Sequence, residues 1–534
     1  MPDIGLVLGL LAVIALLAAI GRRMAVPDPI VFALGGLVLA LAPGIPHLAL
    51  PPSLVLVVFL PPLIFTAAQD TSWAEIRRHA SPILLLAVGL VLGTMAVVAV
   101  VAHALAPELP WAAAFTLGAV VAPPDAVAAK AIADTLHLPR RLVAILEGEG
   151  LVNDATALVA FQVASGVAVT GTAFALGPAT VRVLYAAVAA IGLGIVVGWI
   201  GHQVLSRVGD PAVENTVTLL LPFVAFLPAE RVHASGVLAV LTLALYLSRF
   251  SVRVGSSVSR LEGRVLWEMI NFLLTGLSFV LVGLQLPLVV EGLSNRPADV
   301  LRLTVAVCLT VILVRPAWVF GAAWLSHGVR SVLVESTLTP RPTTPVLVVL
   351  GWAGMRGVVS LAVALSLPLV TATGQPFPGR DLIVFVTFVV VLVTLVGQGL
   401  TLPAVIRRLG VGVVASRVED QEIAAELLMA RAALDRLDAV AGETRASPDV
   451  VERVRGFYAD RIERLERRRE MRLASDAEQT REAQFHDATR RLLEHLLEVE
   501  HAELQRIRNS AAVETPVAHR IQARLDVLRQ RRGG

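Results

Sequence analysis

Charge is scarce in this sequence. Of its 534 residues only 16% are Asp, Glu, Lys or Arg, while 56% are hydrophobic. A water-soluble chain of this length needs a far more polar surface, so an ordinary soluble globular protein is excluded. Cysteine is almost absent. The single Cys308 lies in an apolar run, which excludes an internal disulfide and a cysteine metal cluster. The histidines are scattered, mostly in loops, and form no metal-ligand cluster, so a membrane enzyme is not expected and no catalytic residue is assigned. Neither sign of charge dominates. The formal net charge of +3 is too small and too mixed for a nucleic-acid partner. A secretory leader is not evident either, because the first apolar run, Ile4 to Ile20, has no basic residue ahead of it and Arg22 and Arg23 behind.

What charge exists is unevenly placed. Residues 1–410 carry 23 Lys and Arg against 19 Asp and Glu, whereas residues 411–534 carry 22 and 23. About a quarter of the chain therefore holds half the charge, and a domain boundary is expected near Gly410. The first part, 1–410, reads as an all-α polytopic membrane domain, and 411–534 as a cytoplasmic helical tail.

A helix needs about 20 apolar residues to cross the hydrocarbon core. Thirteen segments qualify: 4–20, 29–48, 53–69, 82–106, 111–129, 142–169, 181–205, 214–229, 232–248, 265–290, 300–325, 345–371 and 382–403. The eighth and ninth are short, with Pro228 between them. With the tail in the cytoplasm, thirteen crossings put the N-terminus outside, and 16 of the basic residues then fall in cytoplasmic stretches against 5 in outer ones. That bias is the one the positive-inside rule demands. Thirteen also divides into two six-helix halves around a linker segment, in opposite orientation, as in the inverted repeats of secondary transporters. Segment 5 then corresponds to segment 12. Both are interrupted, by Pro123 and Pro124 in one and by Gly351, Gly354, Gly357 and Pro368 in the other.

A charge in the bilayer interior costs at least about 2.5–3.5 kcal/mol on insertion scales, so the few that occur are devices. They are Asp125, Glu147, Glu149, Asp154, Arg315 and Arg356. Glu214, Glu230 and Glu268 sit near segment ends and read as interfacial. Pro123 and Pro124 have no N–H to donate, which frees carbonyls one turn earlier, around Ala119 and Val120, beside the Asp125 carboxylate. In ILEGEGLVNDATALV, Asp154 lies one turn from Gly150, which leaves room for an ion or water. A single buried carboxylate holds a proton or a cation but not both well, which couples opposite fluxes if it faces the two sides in turn. Asp154 is therefore the expected exchanging group. Arg356 is permanently charged and needs an anion, for which Glu149 is the expected partner. Arg315, ahead of Pro316, is expected to cap freed carbonyls or reach an interface.

These stretches resemble the monovalent cation:proton antiporter-1 family, of the NhaP and NHE type, and its bacterial branch in particular. The resemblance covers roughly residues 1–410. It rests on FLPPLIF at 59–65, VVAPPDAVAA at 120–129, EGEGLVNDATALV at 147–159, GMRGVVSLA at 354–362 and QGLTLP at 398–403 with IRRLG at 406–410. It implies an NhaA/NhaP-like fold, a homodimer in the inner membrane, elevator-type movement and no cofactor or ATP. It further implies that Asn153 and Asp154 form the Asn–Asp motif associated with electroneutral exchange, that Asp125 belongs to the unwound helix, and that Na+ sits at Asp125 and Asp154. Glu149 and Arg356 resemble the family's bridging ion pair. Pro124 stands where a Thr is usual, so its carbonyl is the remaining ligand there. Gly150 replaces a Ser of several members, and Thr66 an acidic residue of some archaeal ones; with Glu147 they are accessory positions. These departures leave Na+, Li+ and K+ open, and a K+/H+ antiporter is the nearest alternative. A cation channel or ion-sensing receptor without proton coupling is the alternative of another class.

The tail alternates in sign, as in RIERLERRRE, and carries narrow apolar stripes at helical spacing: Ile423, Leu427, Ala430, Leu434 and Leu437; Val451, Val454, Tyr458, Ile462 and Leu465; and Leu493, Leu497, Leu504 and Ile507. This is the pattern of a coiled coil or small bundle, joining helix to helix within the tail, with a partner protomer or with a regulator.

Overall fold

The computed structural model describes residues 4–24, 26–42, 52–70, 77, 79–136, 138–171, 176–250, 257–291, 297–333, 343–411, 415–444 and 447–473. Among them there is no strand beyond an isolated bridge between Val370 and Pro376; the fold is helical. By contacts the chain forms two compact units, Met1–Val414 and Ala415–Gly534.

The first unit contains α1 (Ile4–Met24), α2 (Asp28–Ala40), α3 (Pro52–Asp70), α4 (Ala80–Leu105), α5 (Trp111–Val121), α6 (Ala126–Thr135), α7 (Arg140–Thr170), α8 (Leu176–Leu205), α9 (Pro211–Arg231) and α10 (Gly236–Phe250). It continues with α11 (Ser257–Leu284), α12 (Leu286–Glu291), α13 (Pro297–Leu333), α14 (Thr344–Trp352), α15 (Val358–Leu365) and α16 (Arg380–Leu409). Seven helices in the described residues are long and apolar enough to cross a membrane, and four shorter apolar helices accompany them. Their surfaces are oily. On α8, Leu184, Val188, Ile191, Ile195 and Trp199 recur at helical spacing and are all exposed, as side chains bathed in lipid would be.

Small residues let the helices approach. Cβ atoms on Gly36 of α2 and Gly283 of α11 would each run into the backbone of the other helix, so this crossing is closed by the absence of side chains. Two sequence expectations shift. Pro228 does not separate the eighth and ninth segments but lies inside α9; the turn comes later, at His233, whose φ is +56°. Glu214, expected at an interface, is buried in the first turn of α9.

The positioning feature is a pair of interruptions. The stretch 111–129 breaks into α5 and α6, and 345–371 into α14 and α15. Helix α16 packs against these breaks and widens to a π-helical stretch at Thr394–Gln398, as α4 does at Leu85–Leu90. The carbonyl of Leu85 in the latter accepts a bond from the Trp318 indole at 3.2 Å.

In the second unit, α17 (Ala415–Asp435), α18 (Leu437–Thr444) and α19 (Pro448–Leu473) form a helical hairpin. Ile423, Leu427, Ala430 and Leu465 are buried in its seam, with Ile462 against them. Arg431–Glu466 at 2.5 Å and Arg455–Asp438 at 2.6 Å tie its helices together at the surface. Gly442 lies inside α18, so the first helix ends at Asp435, with a turn at Arg436, rather than at that glycine. The stripe Leu493, Leu497, Leu504 and Ile507 lies outside the described residues.

Candidate functional site

The two breaks exchange hydrogen bonds. In an uninterrupted helix the Asp125 N–H would donate to Val121; instead it donates to Met355 O at 2.6 Å, across to the other break. That leaves the end of α5 short of donors, and Arg356 supplies them. Its Nε donates to Val121 O at 3.0 Å, Nη2 to Ala122 O at 3.3 Å, and Nη1 to Gly354 O. Its backbone N–H donates to Thr394 Oγ1 at 3.0 Å. A fully buried guanidinium thus faces the negative ends of two helices.

Asp125 occupies the opposite pole. Its Oδ1 accepts from Val127 N at 2.8 Å, capping α6. Its other oxygen lies against Gly357, the residue that opens α15, and a Cβ there would overlap the carboxylate. The carboxylate therefore sits where two helix N-termini converge.

Helix α7 presents the remaining groups. Asn153 is wholly buried and its Nδ2 donates to Pro124 O at 2.8 Å, while its Oδ1 has no donor among the described residues. Asp154, on the next position, is half-buried and lines a small cavity with Ala119, Val120, Pro123, Val237 and Ser360, among others, that has room for about one water-sized particle. Asp125 is within electrostatic range of Asp154. Asp125 lines a separate small cavity together with Pro124, Glu149, Gly150, Arg315 and Ala353. Gly150 thus opens space on the Asp125 side, not facing Asp154 as its spacing suggests.

The ion pair differs from the sequence expectation. Glu149 binds Arg315, not Arg356: Nη1 and Nη2 of Arg315 reach its two oxygens at 2.5 and 2.7 Å, with both side chains nearly sealed from solvent. Arg315 Nε also donates to Leu350 O at 2.9 Å, so it caps a carbonyl as expected and pairs with an acid as well. The physical reason is geometric. The fork of Arg315 meets the carboxylate squarely, while the nitrogens of Arg356 are committed to carbonyls at the breaks. Gly354 makes room for both cations, since a Cβ there would lie 2.7 Å from Arg315 Cδ and 3.1 Å from Arg356 Nη1.

Glu147 pairs with Lys130 of α6 at 2.9 Å, a partner the sequence did not single out. The Thr66 hydroxyl lies 3.0–3.1 Å from Pro62 O, Leu63 O and Asn271 Oδ1, so its hydrogen bonds go to its own helix and to α11. Thr394 and Ser360 were also missed. Single hydroxyls in apolar helices carry no signal until the neighbouring helix is placed.

The result is a division among acids. Glu149 and Glu147 are paired. Asp125 and Asp154 have no ion-pair partner among the described residues and retain access to small cavities, with Asn153 Oδ1 as a neutral acceptor beside them. A carboxylate that borders a cavity and has no ion-pair partner suits a cation or a proton.

Comparison with known proteins agrees in kind. Residues 9–408 match the family model for the transmembrane sodium/hydrogen exchanger. An uncharacterized Na(+)/H(+) exchanger of Mycobacterium tuberculosis is 36% identical over 543 aligned positions, covering 98% of this chain and 96% of its own. A sodium, potassium, lithium and rubidium/H(+) antiporter of Bacillus subtilis is 34% identical over 412, covering 74% of this chain and 60% of its own. The solved structure of the sodium proton antiporter MjNhaP1 from Methanocaldococcus jannaschii superposes with a TM-score of 0.58 at 19% identity, covering 76% of this chain and 98% of that one, which speaks for the fold alone. From residues 9 to 408 at least, this chain is a member of the sodium/hydrogen exchanger family of membrane cation/proton antiporters.

Proposed function

We propose that this protein exchanges Na+ for H+ across the cytoplasmic membrane, with cation and proton competing for Asp154 and with Asp125, Asn153 Oδ1 and the Pro124 carbonyl completing the cation's shell. The observation that carries the reading is the division among acids in the apolar segments: Glu149 is neutralised by Arg315, while Asp125 and Asp154 have no ion-pair partner among the described residues and keep access to cavities. A carboxylate without a partner must take a proton or a cation from outside the protein. Glu149 and Arg315 serve as the fixed structural pair, and Arg356 with Asp125 balances the ends of the broken helices.

Exchange is electroneutral, one cation against one proton, because a single group alternates between two occupants of equal charge. Thirteen crossings in two inverted six-helix repeats are supported by the breaks between α5 and α6 and between α14 and α15, which fall at corresponding places in the two halves. The N-terminus lies outside and the tail in the cytoplasm, the protein works as a homodimer with elevator-like movement of the site, and no cofactor is needed. The tail contacts itself, the partner protomer or a regulator. K+ is a second candidate cargo. Pro124 and Gly150 bring no hydroxyl to the site, and the Bacillus subtilis relative is named for several alkali cations.

The test is a proteoliposome assay with an internal acid load and a pH-sensitive dye. Added Na+, and Li+ to a similar degree, should collapse the gradient with no effect of an imposed membrane potential. No response to Na+, Li+ or K+ would refute antiport. Cation entry without proton movement would make the protein a channel.

A further inference from the structure

Helix α16 carries a polar group that the exchange reaction does not use. Gln398 is 2% exposed, and both its Nε2 and its Oε1 lack a hydrogen-bond partner among the described residues. A buried donor or acceptor left unpaired loses its hydration with nothing in return, so a buried amide with both ends open is expensive unless something fills it. Gln398 ends the π-helical stretch Thr394–Gln398, a widened turn in which the regular carbonyl pairing is disturbed. It stands one turn beyond Thr394, which accepts the Arg356 N–H. The next residue, Gly399, is in contact range of Met355 and Ile30; a Cβ on it would lie 3.3 Å from Met355 Sδ.

The amide defines its ligand. Oε1 needs a donor and Nε2 needs an acceptor. A bare cation satisfies only the first, and an anion only the second. Water does both, and buried water commonly occupies such positions, with 2–4 polar partners. We propose that Gln398 holds a buried water molecule at the π-turn of α16, beside the Met355–Arg356 break. The water is a fixed part of the joint between α14 and α15, separate from the Asp125 and Asp154 cavities, whose lining residues do not include Gln398.

Met355 offers a reporter. Its side chain is fully buried, whereas Met24, Met269 and Met429 are well exposed. A short X-ray pulse makes hydroxyl radicals from bound water as well as bulk water, so a sealed methionine is oxidised only if water sits next to it. In the full-length protein in detergent, Met355 should be oxidised at a rate within a few fold of Met24 and Met269. Gln398→Leu should cut Met355 oxidation at least several-fold with the exposed methionines unchanged. Gln398→Glu, which keeps partners for water, should retain it. Met355 left unoxidised in the wild-type protein would overturn the proposal, and this arm needs no variant to fold. Equal oxidation in wild type and Gln398→Leu would also overturn it, because the water would then not be held by Gln398.

Discussion

Breaking the Glu149–Arg315 pair should be among the most damaging single changes in the membrane unit. Both side chains are almost wholly buried and joined by two bonds of 2.5 and 2.7 Å, so Arg315→Met leaves a carboxylate that bulk water cannot reach. Removing one partner of a buried pair costs about 3–5 kcal/mol, while replacing both by apolar groups is often near neutral. At about 2.1 cal/mol/K per residue, a unit ending at Val414 has an unfolding entropy of order 0.9 kcal/mol/K. The single variants should therefore lower the thermal midpoint by about 3–6 °C on that scale. Glu149→Met with Arg315→Met should recover a large part of the loss. The assay is thermal unfolding in one detergent at one scan rate for Glu149→Met, Arg315→Met and the double variant, with the matching cycle for Glu149 and Arg356. The coupling should be strong for Arg315 and weaker for Arg356, whose guanidinium is spent on the carbonyls of Val121, Ala122 and Gly354. Additive losses for Glu149 with Arg315, alongside coupling with Arg356, would refute this pairing.

Other perturbations probe the site and the tail. Asp125→Asn should still cap α6, since an amide oxygen can accept the Val127 N–H, so the protein should fold while cation-dependent exchange falls at least tenfold; an unchanged rate and apparent affinity in proteoliposomes would remove Asp125 from the site. Gly357→Ala places a methyl on the Asp125 carboxylate and should abolish or severely reduce exchange at normal expression and monodispersity; wild-type exchange would mean that the two breaks are not held together at this point. Cutting the chain after Arg408 should leave insertion and exchange intact but alter the pH profile, the rate or dimer stability. Total loss of exchange in a folded, dimeric truncated protein would contradict an assembling or tuning role.

Much of this arrangement is legible in the sequence because lipid makes charge conspicuous. Asp125, Glu149, Asp154, Arg315 and Arg356 stand out in apolar runs, and the proline pair and the glycines mark the two breaks. The tail hairpin follows from the spacing of Ile423, Leu427 and Leu465. What the sequence does not rank is who binds whom. Arg356 is the expected partner of Glu149, yet Arg315 takes it, and that outcome depends on how α13 and α14 pack, since Arg315 bonds Leu350 O as well. Gly150 lies one turn from Asp154 on paper, yet it borders the Asp125 cavity, because the facing helix decides which side of α7 is lined by what. Hydroxyls such as Thr394 acquire a role only from a backbone N–H in another element, a long-range relation with no local signature. The turn at His233, reached past a proline that stays inside α9, shows the same limit for boundaries.

The central claim is that proton and cation compete for the Asp154 carboxylate. Its most direct test is Na+-driven proton movement by Asp154→Asn in proteoliposomes, at reconstitution matched to the wild type and with folding and dimer formation checked. The variant should be a folded protein whose gradient collapse is no faster than that of protein-free vesicles; exchange at the wild-type rate would show that the exchanging group lies elsewhere.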